Sequence, residues 1–257
     1  MTQKPTGKNE GEMPFLDHLE ELRWRLLWSL LALVVCTVVG YFAVTRFNVL
    51  GLLTAPIEPF LDGDRLKTLD PIAPFLITLK LALVVGGILA SPIVIYQIWA
   101  FLSPALLPSE KRAIVPSLYF GLVLFMIGVA GAYFIALPVT LEFTMGFQTE
   151  ALEPAIEVNA YLGVVIRLLL AFGLVFELPI VILALTYLGL VTPEFLAEKR
   201  RHALALITVV SALITPGDVI TITLLMMVPL ALLYELSIYL SRVVVRRRSS
   251  APLEAGG

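Results

Sequence analysis

The sequence predicts an all-α polytopic membrane protein, with six transmembrane helices in one domain behind an amphipathic N-terminal helix. Three observations carry that expectation. Of 257 residues, 59% are hydrophobic and 15% charged, and mean hydropathy is +0.93, more apolar surface than a soluble chain of this length can bury. Apolar runs recur at 26–44, 75–100, 114–138, 160–186, 202–214 and 219–240, where a span needs roughly 20 residues. Lys and Arg are sorted between alternating loops instead of being spread along the chain. Around the domain, taken as 14–242, residues 1–13 read as a flexible tail and 243–257 as a basic, then disordered, cytoplasmic tail. The first run follows a polar stretch and lacks a small-residue cleavage site, so no cleaved signal is expected. The single Cys36 excludes an intramolecular disulfide.

The segment before the first run is the most informative. Pro14 sits where a first helical turn tolerates a missing N–H, and Phe15, Leu19, Leu22 and Leu26 recur at helical spacing. That pattern predicts a helix lying along a membrane surface. Its polar side carries His18, Glu21 and Arg25, with Glu21 and Arg25 four residues apart and able to pair. Membrane lips on the basic side normally favour Lys and Arg, so a carboxylate there is unusual and suits a cationic peptide. The plainer reading is a surface Glu21–Arg25 pair, worth about 0–1 kcal/mol.

Orientation follows from the basic residues. Arg23 and Arg25 precede the first run and Lys111 and Arg112 follow the second. Lys199, Arg200 and Arg201 follow the fourth, and Arg242, Arg246, Arg247 and Arg248 follow the sixth. The 139–159 loop has no Lys or Arg but holds Glu142, Glu150, Glu153 and Glu157. Both termini are therefore expected in the cytoplasm, with long loops at 45–74 and 139–159 outside. Pro56, Pro59, Pro71 and Pro74 make the first of these a stiff cap with short helical pieces. The fifth run, 202–214, is short for a span, and Thr215-Pro216-Gly217-Asp218 turns it directly into the sixth. Such a hairpin either thins the bilayer beside it or is packed inside the bundle.

Four ionisable groups fall within apolar runs: Lys80, Arg167, Glu177 and Glu235. Lys80 lies near the outer end of its run and can snorkel, and Arg167, about two turns into its run from the outer end, can snorkel or pair. Glu177 is somewhat past mid-span, too deep for a short carboxylate to reach water easily, and is expected either to be protonated or to have a partner. Pro179 follows it and is expected to open or kink the helix there. Glu177 serves either function or simply a freed backbone group beside that kink. Glu235 lies in the inner half of the sixth run. Gly86-Gly87 and Gly128 to Gly131 read as close helix packing. The two histidines, His18 and His202, form no metal-ligand or nucleophile–base spacing, and no glycine-rich phosphate loop is present. No enzyme activity, cofactor or metal is expected.

The residues resemble the TatC family, the polytopic receptor subunit of the twin-arginine (Sec-independent) protein translocase. The likeness runs from Phe15 to about Arg242. It rests on His18-Leu19-x-x-Leu22-Arg23-x-Arg25, Ala55-Pro56, Ser91-Pro92 through Ala100-Phe101, and Pro104-Ala105-Leu106 through Glu110-Lys111-Arg112. It continues in Ala132-Tyr133-Phe134, Ala171-Phe172-Gly173, Phe176-Glu177-Leu178-Pro179 and Thr215-Pro216-x-Asp218-Val219. The resemblance implies six helices in a concave, cupped arrangement with short helices five and six. It implies a receptor that binds twin-arginine signal peptides of folded precursors at the cytoplasmic face. Assembly with TatA- and TatB-like single-span subunits, and with further copies of itself, follows in the bacterial cytoplasmic (inner) membrane, with transport driven by the proton-motive force.

Family recognition residues map onto Glu21 and Glu110, supported by Phe15, Leu16, His18, Arg23, Arg25, Phe101, Pro104, Lys111 and Arg112. Two carboxylates can count two guanidiniums, because each planar fork matches a carboxylate that lysine meets only as a point charge. The intramembrane polar or partner contacts carried over are Glu177, Thr215, Asp218, Gln97 and Tyr133. One position departs from better-known members: Ile222 stands where they place a glutamine used in docking single-span partners, with Thr215, Thr221 and Thr223 nearby. Two other classes compete. An ion-coupled transporter would use Glu177 and Arg167 but normally shows repeats and matched broken helices. An intramembrane protease needs a nucleophile and base at depth, for which His202 is poorly placed.

Overall fold

The computed structural model describes residues 15–61, 63, 65–106, 111, 114–146, 155–214 and 220–249. Helix α1, Phe15–Arg46, is 32 residues long, about 48 Å at helical rise against a hydrocarbon core of ~30 Å. No Pro or Gly interrupts it before Gly40, and Ser29 and Thr37 fold their hydroxyls back on Arg25 O and Leu33 O. The amphipathic N-terminal turns are therefore collinear with the first span. This corrects the expected separate surface helix: nothing in the chain supplies a breaker between Leu22 and Leu26, so the N-terminal turns and the first apolar run form one continuous helix.

Most of α1 is exposed; one face packs on α3, Ala73–Leu102, and small residues set the approach. A Cβ at Gly40 would lie 2.5 Å from Ala82 O, and one at Gly86 2.5 Å from Thr37 Cα. Backbones this close are how membrane helices associate, since lipid provides no hydrophobic drive between them. Gly87 and Gly131, expected at packing faces, look onto open space.

At the far end of α1, Asn48 takes the left-handed conformation at φ 49° and caps α2, Val49–Thr54, accepting from Gly51 N. A 3-10 turn, Ala55–Phe60, follows with Ile57 fully buried. The hydroxyls of Tyr133 and Tyr161 donate to Leu52 O and Leu53 O at 2.6 and 2.7 Å. Lys67 N donates to Ile156 O and Val158 N to Lys67 O, so the two long loops are bonded to each other. The second begins later than its 139 prediction. Helix α4, Ile114–Gly131, passes through a π turn, Ala132–Ala136, into α5, Leu137–Met145. Pro138 lacks an N–H and crowds the carbonyl four residues back; widening the preceding turn absorbs both defects and keeps the segment helical.

The fourth span is divided. Helix α6, Val158–Phe176, ends at Glu177, whose N–H donates to Leu174 O, and α7, Leu178–Tyr187, restarts with Pro179 in its first turn. After a short α8, Pro193–Glu198, helix α9 covers Arg200–Ile214 in 15 residues. Helix α10, Ile220–Ser249, is 30 residues long, and its apolar sequence runs from Ile220 to about Leu240 before Arg242 and Arg246. It continues past the predicted 240 because Val244 still packs inward and the following arginines suit a helix C-terminus. Two apolar cores result. One joins α3, α6 and the looped end around Leu81, Leu137, Leu162 and Val165. The other surrounds Trp99, with Ile95, Leu106, Leu124, Ile180 and Leu233.

Candidate functional site

Where the first turns of α1 meet the last turns of α3, the antiparallel helices bring three polar groups and two rings together. Arg25 Nε donates to Glu21 Oε1 at 2.9 Å, Nη2 reaches the same oxygen, and Nη1 donates to Gln97 Oε1 at 3.2 Å. One turn outward on each helix, the His18 and Phe101 rings stack at 4.4 Å and 20°. Side-chain exposure is 17% for Glu21 and 26% for Arg25, so the pair is more sheltered than an ordinary surface bridge. Both donors fall on Oε1, while Oε2 of Glu21 is buried without a partner among the described residues. A carboxylate with one oxygen occupied and the other buried and unmet retains unused acceptor capacity.

The remaining predicted residues divide. Arg23 is exposed on α1, and Pro104 is exposed in the 3-10 turn Ser103–Ala105. Leu106 anchors that turn in the Trp99 core, and Lys111 is exposed beyond it. Glu110 and Arg112 lie outside the described residues, as do the side chains of Phe15 and Leu16. Trp99 is fully buried, edge-on to Tyr187 at 6.3 Å, and its indole N–H has no partner among the described residues.

A second polar place lies between α4 and the α6–α7 break. Glu177 directs its carboxylate at Gly121: a Cβ there would stand 3.0 Å from Oε2, and Oε1 is buried without a partner among the described residues. Thr215 and Asp218, and the Ile222 side chain, fall outside the described residues. Gln97 sits with Arg25 and not with Glu177, and the Tyr133 hydroxyl is engaged by Leu52 O. Lys80 donates to Asn159 Oδ1 at 2.8 Å, Arg167 is exposed, and Arg200 Nη2 binds Glu235 Oε2 at 2.8 Å. Sequence reasoning placed Glu21 and Arg25 on one face but missed the Gln97 contact, 72 residues away, and the role of Gly121. Neither has a local signal.

The fold and these groups define a multi-pass helical membrane protein whose polar chemistry gathers where the start of α1 meets the end of α3 and at one helix break. Known proteins narrow this. A sequence model of the family described as Sec-independent protein translocase protein (TatC) matches residues 17–229. The chain is 41% identical over 239 residues to the Sec-independent protein translocase protein TatC of Aquifex aeolicus, covering 92% of this chain and 98% of that one. It is 38% identical over 240 residues to the TatC of Escherichia coli K12, covering 92% and 91%. A crystal structure of the twin arginine translocase receptor TatC superposes with a TM-score of 0.77 at 40% identity, covering 89% of this chain and all of that one. The chain belongs to the TatC family of Sec-independent protein translocase proteins, a translocase receptor family that is a non-catalytic component of protein transport.

Proposed function

We propose that this protein is the signal-peptide receptor of its translocase, and that Glu21 accepts a guanidinium of the twin-arginine motif at the cytoplasmic face. The observation that supports the reading is the Glu21 carboxylate itself: sheltered, placed among basic residues, and with Oε2 unmet among the described residues. A guanidinium fork can bond both carboxylate oxygens, whereas an ammonium cannot match that geometry. Glu110, by its family-like sequence position, supplies the second carboxylate. Phe101 and His18 wall the site, and Arg23, Lys111 and Arg112 keep its surroundings basic.

The basic clusters support a cytoplasmic location for both termini, and membership of the family supports the bacterial inner membrane as the site of action. TatA- and TatB-like single-span subunits and further copies of the chain are its partners, with Glu177, Thr215 and Asp218 the polar groups available to them. Folded cargo then crosses at the expense of the proton-motive force.

The test is site-specific crosslinking. A photoreactive residue at position 21 or 110 should capture a twin-arginine signal peptide in membranes containing the assembled complex. Capture should fall when the pair is replaced by Lys-Lys. Equal capture of both peptides overturns the proposal.

A further inference from the structure

We infer that Arg25 is a built-in occupant of the Glu21 carboxylate, and that Gln97 is the positioning residue that receives it when a peptide guanidinium takes its place. This inference rests on the receptor reading above and concerns how the same site sets affinity and selectivity.

The geometry has three parts. Arg25 directs Nε and Nη2 at one oxygen of Glu21, leaving the other unmet among the described residues, and so forgoes the fork-to-fork pairing available to a guanidinium. Its third described contact is to the neutral amide oxygen of Gln97, which is fixed on α3. Arg25 therefore bridges two acceptors, one charged and one neutral, and can give up the first while keeping the second. Arg25 holds Oε1 and Oε2 is buried, so a guanidinium that is to pair with both oxygens must take the place of Arg25. A ligand that displaces an internal competitor shows an affinity reduced by the competitor's occupancy.

Selectivity follows from that competition. The peptide group must outbid a guanidinium already in place. An arginine does so by using both carboxylate oxygens; a lysine offers a point charge and fewer directed donors. Gln97 lowers the cost of displacement, since without it Arg25 has no described alternative acceptor.

The experiment measures binding of labelled twin-arginine and Lys-Lys signal peptides to the assembled complex in native membranes, at matched abundance of the variants. Gln97→Leu should weaken twin-arginine binding by roughly threefold or more, because Arg25 then stays on Glu21. Gln97→Glu should strengthen it, because an ionised acceptor draws Arg25 away. Both effects should vanish in an Arg25→Gln background, where the occupant is gone, and the twin-arginine to Lys-Lys preference should narrow there. Gln97 effects of the same size in both backgrounds overturn the inference, since they mean that Gln97 contacts the peptide or acts only on the fold. If Gln97→Leu fails to accumulate, the sign of Gln97→Glu and its dependence on Arg25 decide the matter. Glu21→Gln separates the two readings. Unchanged binding there removes the receptor role of Glu21 itself, whereas reduced binding with Arg25-independent Gln97 effects removes only the occupant.

Discussion

The Glu177 carboxylate occupies the space that a side chain at Gly121 would need: a Cβ there would lie 3.0 Å from Oε2. The two residues are brought together because α6 stops at Glu177 and restarts at Leu178, turning the side chain toward α4. The missing side chain on α4 is thus part of how the span holds an acidic residue. With Oε1 buried and unpartnered among the described residues, the arrangement retains an unmet acceptor inside the bundle, which suits a polar group from a partner helix.

Glu177→Ala is expected to leave signal-peptide crosslinking near full strength while lowering transport of a folded reporter, with Glu177→Gln milder because it keeps hydrogen-bonding atoms. Gly121→Val should reproduce the transport defect by pushing the carboxylate aside. Quantified export at matched membrane abundance is the measurement; normal export by Glu177→Ala would reduce the residue to a structural group.

Glu21→Ala should weaken twin-arginine peptide binding by roughly 1.5–3 kcal/mol, the range for a hydrogen bond to a charged group. Glu110→Ala should lose a similar amount. Equilibrium binding to membranes carrying each variant checks both, and an unaltered dissociation constant for either removes that carboxylate from recognition.

Glycines on α3 should divide sharply. Gly86→Leu should prevent stable accumulation, since even a Cβ would meet Thr37 Cα at 2.5 Å, whereas Gly87→Ala meets nothing within 4 Å and should be tolerated. Membrane abundance by immunoblot separates them. Comparable loss in both would mean that the α1–α3 approach does not control folding.

Topology can be read with cysteines in a Cys36→Ser background. An impermeant thiol reagent added to intact cells should label Thr68→Cys, which is exposed on the first long loop, and spare Glu198→Cys, exposed at the end of α8. The reverse pattern would invert the orientation inferred from the basic clusters.

The sequence by itself determined the class of the protein, because hydropathy and charge sorting are summed over long stretches and do not depend on which helix meets which. It also determined the helix break: Glu177 and Pro179 are two residues apart, and a missing N–H acts locally. The Glu21–Arg25 pair was legible for the same reason, being one helical turn apart. Tertiary structure decided the rest. Whether the N-terminal turns bend onto the surface or continue the span depends on packing and breakers, and here α1 is one continuous helix. Amphipathic spacing around Phe15 to Leu26 fits either course. Pro138 could have ended a helix and instead sits beyond a π turn. Gln97 reads as one polar residue in an apolar helix until α1 is laid antiparallel against it, and Gly121 as one small residue among many until Glu177 is turned toward it. Contacts between residues 56 or 72 positions apart leave no periodicity in the chain, because they are fixed by how close two backbones can come.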